Sequence, residues 1–355
     1  MPKNFSKAWW GRPVLGVLVL FWLAIFYGTP PQTDVPLKQG KTALRLAYFP
    51  NVTHAPALVG VQKGEFTKAL KDTPLRTVVF STGPEAMEAL LANAVDVAFV
   101  GPGPAINTWV KTQGKAIAIL AGVCSGGAGL VARKDTNIQA LPDLGGKRIG
   151  VPQLGGTQDI SLRAFLLSVG LKPQEKGGNV AILPMKPADM VSLFKSGQLD
   201  AAWVPEPWLS RLAHDTGGSI VLDERTLWKD GQFTTTVLVT RRAYLAKNRP
   251  EVEAIVKAHR KVVTWIVANP KEAQEVVNAE LKRLTTKPLA QEILAEAWNR
   301  MSFTTDLHAE SLMKQVEMAV SAGYLPKAPE QSALFKEALV PVAGSPSSAK
   351  EPERR

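Results

Sequence analysis

Cysteine is almost absent from the sequence. Cys124 is the only one among 355 residues, which excludes an internal disulfide and any zinc site built from cysteine ligands. Histidine is also scarce. The four that occur are His54, His214, His259 and His308, and no two have the spacing of a metal-ligand pair. We therefore predict no metal site.

Motifs for nucleotide chemistry and nucleophilic catalysis are missing as well. The chain contains neither Gly-x-Ser-x-Gly nor Gly-x-x-x-x-Gly-Lys-Ser/Thr, and no Gly-x-Gly-x-x-Gly follows an apolar run. We therefore expect neither a cofactor nor enzymatic activity. The formal net charge is +11, but Lys and Arg are not interleaved with aromatic residues, so nucleic acid is not an expected partner. An anionic ligand or an acidic membrane surface suits this charge.

Long hydrophobic runs are lacking too. The longest, at residues 14–27, has about 14 residues, and a comfortable bilayer span needs about 20. The basic residues Lys3, Lys7 and Arg12 precede it, and a proline-rich polar stretch follows. This order predicts that residues 1–33 are a secretory signal peptide, with a retained N-terminal anchor as the alternative. We expect a periplasmic or other extracytoplasmic location, with membrane contact through 14–27 only if the segment is uncleaved.

What the sequence does contain, from residue 43 to residue 240, is an alternation of short apolar runs with helix-like segments. This alternation predicts an α/β fold with parallel sheets. The predicted strands are 43–48, 76–80, 95–100, 116–123, 148–151, 180–183, 200–204 and 234–240. The predicted helices between them include 84–92, 157–169 and 187–196.

The C-terminal region has a different pattern. Residues 242–325 are almost entirely helix-patterned, and Pro250, Pro270 and Pro288 are placed as helix-start residues. Residues 342–355 are rich in Ser, Pro and Gly and are predicted to be a disordered tail.

An internal repeat is the most informative feature of the sequence. The pattern Pro-x-x-Met-x-x-Leu begins at Pro84 and again at Pro187, 103 residues later. The next strand repeats too, since Asp-Val-Ala-Phe-Val begins at Asp96 and Asp-Ala-Ala-Trp-Val begins at Asp200. The repeat predicts two similar open α/β lobes. Because ligands of such sheets bind outside the carboxyl ends of the strands, we expect a cleft lined by loops from both halves.

Several side chains in those loops are candidates for ligand contact. Gly156 lets the backbone approach a ligand closely, and Thr157 either caps its helix or bonds a ligand oxygen. His54 stands at a helix start, and Trp208 is a candidate for a cleft wall. Glu206 is interpreted as a carboxylate that faces the cleft and favours an ammonium or hydroxyl donor, with a helix cap as the alternative.

The chain resembles a known family at several of these blocks. Residues 47–57, reading Ala-Tyr-Phe-Pro-Asn-Val-Thr-His-Ala-Pro-Ala, look like the opening of periplasmic binding proteins for aliphatic sulfonates, taurine and nitrate. The blocks 84–103, 143–152 and 204–208 are similar to later parts of that family. The resemblance extends over about residues 42–325.

The resemblance implies a type II periplasmic-binding fold with two crossovers between its lobes. The first lobe then comprises residues 42–133 plus 241–330, and the second comprises 134–240. Carried over by motif position, the family's pocket falls on Asn51, His54, Ser81, Gly83, Pro102, Gly103, Gly156, Thr157, Gln158 and Glu206.

The implied function is capture of a small solute by lobe closure and its delivery to the permease subunits of an ABC importer. We expect a monomer that binds an anion or a zwitterion such as an aliphatic sulfonate, taurine or a nitrate-like ion. No Lys or Arg is evident in the predicted loops, so backbone amides and His54 are left to neutralise an anion, and Glu206 favours a zwitterion. A thiamine-precursor-like pyrimidine and a membrane-anchored ligand sensor remain the alternatives.

Overall fold

The computed structural model describes residues 42–341. The predicted signal or anchor segment and the predicted disordered tail therefore lie outside the described residues. Within the described range, two β-sheets with their packed helices form two lobes, which confirms the prediction of two α/β lobes. No helix in that range is long and apolar enough to cross a membrane.

The first lobe is built on a six-stranded sheet with the order β11-β4-β10-β3-β1-β2. Its strands are β1 (Leu44–Tyr48), β2 (Leu75–Val79), β3 (Val97–Val100), β4 (Ile117–Gly126), β10 (Thr234–Arg241) and β11 (Met301–Phe303). β1 pairs in parallel with both β2 and β3, and β10 runs antiparallel to β3 and β4.

The second lobe is built on a five-stranded sheet with the order β7-β6-β8-β5-β9. Its strands are β5 (Ala128–Ala132), β6 (Arg148–Val151), β7 (Ala181–Pro184), β8 (Ala201–Pro205) and β9 (Ser219–Asp223). β6 pairs in parallel with β7 and β8, and β5 runs antiparallel to β8 and β9. The sheet therefore repeats the arrangement of the first sheet, strand for strand, apart from β11.

The helices in chain order are α1 (Ala55–Gln62), α2 (Glu65–Leu70), α3 (Gly83–Leu91), α4 (Pro102–Lys111), α5 (Thr157–Ser168), α6 (Pro187–Lys195), α7 (Trp208–Thr216), α8 (Arg242–Lys247), α9 (Arg249–Ala268), α10 (Pro270–Thr285), α11 (Gln291–Asn299), α12 (Ala309–Ser321) and α13 (Gln331–Leu334). The helical C-terminal region is confirmed. Pro250 and Pro270 lie in the first turns of α9 and α10 as expected, whereas Pro288 lies in the connection before α11.

Both faces of the second sheet are buried, which explains its near-continuous apolar strands. Trp203 of β8 packs in a core with Leu162 and Leu166 of α5. The neighbouring Val204 points to the other face, in a core that includes Phe194 of α6. Alternate residues of one strand thus enter different cores, as expected where helices cover both sides of a parallel sheet.

The chain crosses between the lobes twice, and these crossings correct the predicted boundaries. β4 ends at Gly126 and β5 begins at Ala128, so the first crossing lies at Gly126–Gly127 and not after residue 133. β10 belongs to the first sheet, although residues 234–240 were assigned to the second lobe. The repeat contains only the parallel strands of each lobe. β5 and β10, which run antiparallel to their neighbours, each arrive by a crossing, which an apolar pattern alone does not reveal.

Glycine is required at the first crossing. Gly126 and Gly127 have φ angles of 79° and 74°, in the left-handed region that other residues rarely adopt. A Cβ on Gly126 would lie 2.5 Å from the carbonyl oxygen of Arg300. The backbone N–H of Gly127 donates to that same carbonyl, at 2.8 Å, and the carbonyl of Gly127 accepts from the N–H of Glu206, at 2.8 Å. The crossing is therefore bonded to both lobes.

The repeat has a structural counterpart in one ion pair per lobe, in which a buried aspartate binds a partly exposed arginine. Asp96 accepts hydrogen bonds from the backbone N–H and the guanidinium of Arg45, at 2.8–2.9 Å. Asp200 accepts the equivalent three bonds from Arg148, at 2.7–2.9 Å. The first pair joins β1 to the start of β3, and the second joins β6 to the start of β8. Both aspartates therefore have structural roles.

We predict that Asp200 makes folding sensitive to acid. Hydrogen bonding from Arg148 lowers the pKa of the Asp200 carboxyl to about 2, against an ordinary value of 3.8. Because the folded-state pKa is the lower one, the stabilisation is complete above pH 4 and is lost as the pH falls from about 4 to 2. It amounts to about 2 kcal/mol.

Denaturant unfolding measured across this pH range checks the prediction. Asp200→Asn should be less stable than the parent near neutral pH and should lose less stability on acidification. The control is Asp189→Asn, which changes an exposed side chain on α6 and should keep the parent's pH dependence. Equal acid sensitivity of the parent and Asp200→Asn would contradict the assignment.

Candidate ligand-binding site

A cavity between the lobes is lined by the loops that follow the parallel strands of both sheets. Phe49–His54 follows β1, Ser81–Pro84 follows β2, and Gly101 and Pro104 follow β3. On the second lobe the walls come from the loops after β6 and β7, from Pro205 at the end of β8, and from the start of α7. The space measures about 970 Å³, open solvent at the mouth included.

Four helices start at this cavity without a side-chain cap. The residue at the N-cap is Thr82 for α3, Gly101 for α4, Gly156 for α5 and Lys186 for α6, and all four residues line the cavity. No side chain at these N-caps bonds to its own helix. The positive end of each helix dipole is therefore directed at the same space, and α3, α5 and α6 also have first-turn N–H groups there. α4 contributes its dipole alone, because its first turn is Pro-Gly-Pro and the Gly103 N–H donates to Thr157.

Most of the residues predicted for ligand binding surround this cavity. They are Asn51, His54, Ser81, Gly83, Gly156, Thr157, Gln158 and Trp208. Three predicted residues, Pro102, Gly103 and Glu206, are not in the lining. Their ligand contact was carried over from the family by motif position, and all three residues are buried.

Gly103 contacts the opposite lobe and not the cavity. Its backbone N–H donates to Oγ1 of Thr157, at 3.2 Å, and a Cβ at this position would lie 3.0 Å from Cα of Thr157. Pro102 beside it is buried in the first turn of α4. Gly101, the preceding residue, lines the cavity instead. The absence of a side chain at Gly103 therefore lets the two lobes approach.

The interpretation of Glu206 as a cleft-facing carboxylate is wrong. The side chain is fully buried, and its carboxylate accepts from the backbone N–H of Ser210 at 3.1 Å and from its hydroxyl at 2.8 Å. Arg300 of the first lobe donates to the same carboxylate, at 3.2 Å. Burial raises the pKa of Glu206, against the lowering effect of these bonds. The helix-cap alternative describes Glu206, with the addition of an ion pair across the lobes.

His54 lines the cavity as a neutral donor. It is buried, and desolvation lowers its pKa from 6.5 to about 3. Nδ1 accepts from the backbone N–H of Phe49, at 3.4 Å, and the ring stacks on Phe49 with the centroids 4.5 Å apart. The ring proton is therefore on Nε2. His54 does not supply the positive charge that the sequence interpretation gave it, but it supplies an N–H.

The floor of the cavity is polar and uncharged. Thr53, Thr82, Thr157 and Thr235 line it and are all buried. Among them, Oγ1 of Thr82 has no hydrogen-bond partner within the described residues. A buried hydroxyl without a partner is unfavourable, so this group is available to a ligand.

Lys186 is a charged lining residue that the sequence interpretation missed. It is the only Lys, Arg, Asp or Glu side chain among the described residues that line the cavity. It is exposed and forms no ion pair or side-chain hydrogen bond within residues 42–341. The repeat contained a signal for it, since Lys186 precedes Pro187 as Gly83 precedes Pro84.

Contacts between α5 and the first lobe keep the lobes together on one side of the cavity. Asp159 of α5 is fully buried and accepts from the hydroxyl of Tyr324 in the first lobe. The same carboxylate accepts from the backbone N–H of Gly155, at 2.7 Å. Nδ2 of Asn107 on α4 donates to the carbonyl of Gly155, at 3.3 Å. The loop that contains Gly155 is therefore held by both lobes.

Comparison with known proteins gives one matching family. The model of the NMT1-like family matches residues 37–281. Among curated relatives, a binding protein of Brucella abortus is 26% identical over 224 residues, which is 63% of this chain and 66% of that protein. The taurine-binding periplasmic protein of Escherichia coli is 28% identical over 191 residues, 54% of this chain and 57% of that protein. The chain thus aligns with less than two thirds of either relative.

Solved structures give the same fold. The alkanesulfonate-binding protein SsuA of Xanthomonas axonopodis superposes with a TM-score of 0.68 at 18% identity, covering 84% of this chain and 99% of that one. Together with relatives named for taurine, nitrate and aliphatic sulfonate binding, this confirms the resemblance found in the sequence. The two lobes therefore have the periplasmic binding-protein fold.

We predict that Glu206 stabilises the lobe junction and does not select the solute. Glu206→Ala removes the partner of a partly buried Arg300 and should cost about 2–3 kcal/mol in the free energy of unfolding. Glu296→Ala is the matched control, because Glu296 lies 3.9 Å from the same arginine but is 59% exposed. Denaturant unfolding and solute titration of both variants check this. Selective loss of affinity for an amine-bearing solute at parental stability would contradict it.

Proposed function

The chain belongs to the NMT1-like family, and we propose that it is the solute-binding component of an ABC importer that captures a small organic anion between its lobes. The observation that carries this proposal is the convergence of uncapped helix N-termini from both lobes on one cavity. N–H groups and helix dipoles attract negative charge. Two lobes that contribute to one anion site bind the solute best when they are closed.

The side chains around the cavity support an anion over a zwitterion. No carboxylate is found in the described lining, and Glu206 is bonded to Ser210 and Arg300. An ammonium group on the solute would therefore have no anionic partner there. Desolvation of an unpaired charge is costly, so the zwitterion favoured by the sequence interpretation and a cationic pyrimidine are both less well supported.

The body of the solute is expected to be apolar and small. Proline rings at positions 50, 84, 104, 152, 187 and 205 and the indole of Trp208 line the cavity. Such walls exclude water from a hydrocarbon segment, whose burial contributes about 0.8 kcal/mol per methylene. An acidic head on a short hydrocarbon chain matches this combination of donors and apolar walls.

Capture by lobe closure follows from the two crossings. The lobes are joined at Gly126–Gly127 and by the segment between β9 and β10, so few backbone angles need to change for them to part. We propose that the closed form is presented to a permease, and that the chain works outside the cytoplasm as a monomer. A catalytic role is less well supported, since the Cys124 thiol is buried with a raised pKa and His54 is neutral.

Thermal unfolding of the signal-deleted chain with a panel of solutes tests the proposal. Alkanesulfonates, taurine, nitrate, bicarbonate and pyrimidines form the panel, and an organic anion should raise the melting temperature most. A ligand that binds only the folded state at 100 times its Kd stabilises it by about 2.7 kcal/mol. Stabilisation by pyrimidines alone, or by no solute, would overturn the proposal.

We predict that Thr82→Val weakens binding of that anion without loss of folding stability. The hydroxyl of Thr82 has no partner in the described structure, so its removal costs the ligand-free protein nothing. A hydrogen bond to a charged group contributes about 1.5–3 kcal/mol, so affinity should fall about tenfold or more. Isothermal titration measures the affinity for the anion, and denaturant unfolding measures the folding stability.

Thr240→Val is the matched control for Thr82→Val. Oγ1 of Thr240 donates to the carbonyl of Asp96, at 2.8 Å, away from the cavity. This variant should lose about 1 kcal/mol of stability and keep the parent's affinity. If Thr82→Val binds the anion as tightly as the parent does, Thr82 does not contact the ligand.

A further inference from the structure

We infer that Lys186 recognises a second acidic group at the far end of the solute, so that the preferred ligand is an organic dianion with acidic groups at both ends. This inference rests on the proposed function and narrows its ligand class. It starts from the position of the single charged side chain in the described lining, on the rim of the cavity at the start of α6.

The floor and the rim of the cavity differ in solvent exposure. Thr53, His54 and Thr235 on the floor are all less than 5% exposed, whereas Lys186 and Thr285 are exposed. An acidic head bound by the neutral donors on the floor leaves the rest of the solute directed toward the rim. Lys186 is then positioned to meet the far end of the solute and not the head.

Among residues 42–341, no acidic side chain forms an ion pair with Lys186. The residue lies at the N-cap of α6, where the helix dipole disfavours a cation. Asp189 in the same turn is exposed and forms no ion pair with Lys186. A cation at a helix N-terminus, beside a cavity that already attracts anions, increases the local positive potential. A bound carboxylate, sulfonate or phosphate offsets that potential, and a methyl group does not.

The repeat shows that the lysine is not required by the fold. Gly83 occupies the equivalent position before α3 in the first lobe, and it lines the same cavity. A Cβ on Gly83 would lie 2.4 Å from Cγ of Pro104, so the first lobe has no room for a side chain there. Within the described lining, a charged side chain is therefore present on the second lobe only. This asymmetry gives a solute with two different ends a defined orientation.

Three matched solutes test the inference. Propanesulfonate, aminopropanesulfonate and sulfopropanoate share a sulfonate and carry a methyl, an ammonium or a carboxylate at the other end. Isothermal titration with the signal-deleted chain should give sulfopropanoate the highest affinity, about tenfold above propanesulfonate, because the second pair is a charge-assisted hydrogen bond. Aminopropanesulfonate should bind the least tightly of the three.

Variants of Lys186 test whether this residue causes the difference in affinity among the three solutes. Lys186→Met keeps a side chain of similar length and should abolish the preference for sulfopropanoate over propanesulfonate. Both anions lose the attraction of the cation, but sulfopropanoate should lose about tenfold more affinity than propanesulfonate. Lys186→Glu should reverse the order and favour aminopropanesulfonate. Lys195→Met, on an exposed lysine at the other end of α6, changes the net charge equally and should behave as the parent does.

The outcomes separate this inference from the proposed function. If the parent and Lys186→Met rank the three solutes alike, Lys186 does not contact the second acidic group. The inference is then overturned, while the proposal of anion capture stands. If none of the three binds but another organic anion stabilises the chain, the inference also fails alone. If no anion of either panel binds, the proposed function fails with it.

Discussion

The architecture depends on one backbone constraint, which is that the chain must leave one sheet and enter the other at Gly126–Gly127. The two residues need left-handed φ angles and a close approach to the carbonyl of Arg300, so only glycine suits the turn. Gly127 then bonds to the first lobe through Arg300 and to the second through Glu206. The side chains of Arg300 and Glu206 also form an ion pair. The loops after the parallel strands of both sheets consequently meet at one cavity.

The buried acids and the ligand cavity are kept apart in this arrangement. Glu206 is bonded at the lobe junction, and Asp159 is bonded to Tyr324 and Gly155. Glu224 is buried within the second lobe, where desolvation raises its pKa to about 7 while it accepts from Trp203 and Ser161. The carboxylates of Glu206 and Asp159 thus support the contact between lobes. The described cavity lining keeps only neutral donors and one lysine, which is the charge distribution that an anion requires.

Much of the fold was predictable because the repeat includes the parallel strands and the loops that follow them. The paired positions of Asp96 and Asp200 became equivalent ion pairs, and most of the predicted loop residues line the cavity. The errors concern the two strands that follow a crossing. β5 was not among the predicted strands, and β10 was predicted as a strand but placed in the second lobe, because its pattern does not show which sheet it joins.

The direction of a side chain was the other quantity that the sequence did not reveal. Glu206 lies in a loop at the correct edge of the sheet, but a serine four residues later and an arginine 94 residues later draw its carboxylate away from the cavity. The reverse holds for Lys186, which precedes a helix that had been assigned correctly. Loop position follows from a pattern, whereas orientation depends on partners distant in sequence.

The positions of β5 and β10 in the two sheets affect when the chain can fold. β10 lies between β3 and β4 in the first sheet, and β5 lies between β8 and β9 in the second. The second lobe is one continuous stretch of chain from β5 to β9, but the first lobe is not, and its sheet stays in two pieces until residues 234–241 have been synthesised. Such long-range pairing slows folding. A chain made for export, as we propose here, gains from that delay, because it remains extended enough to cross a membrane before its first lobe closes.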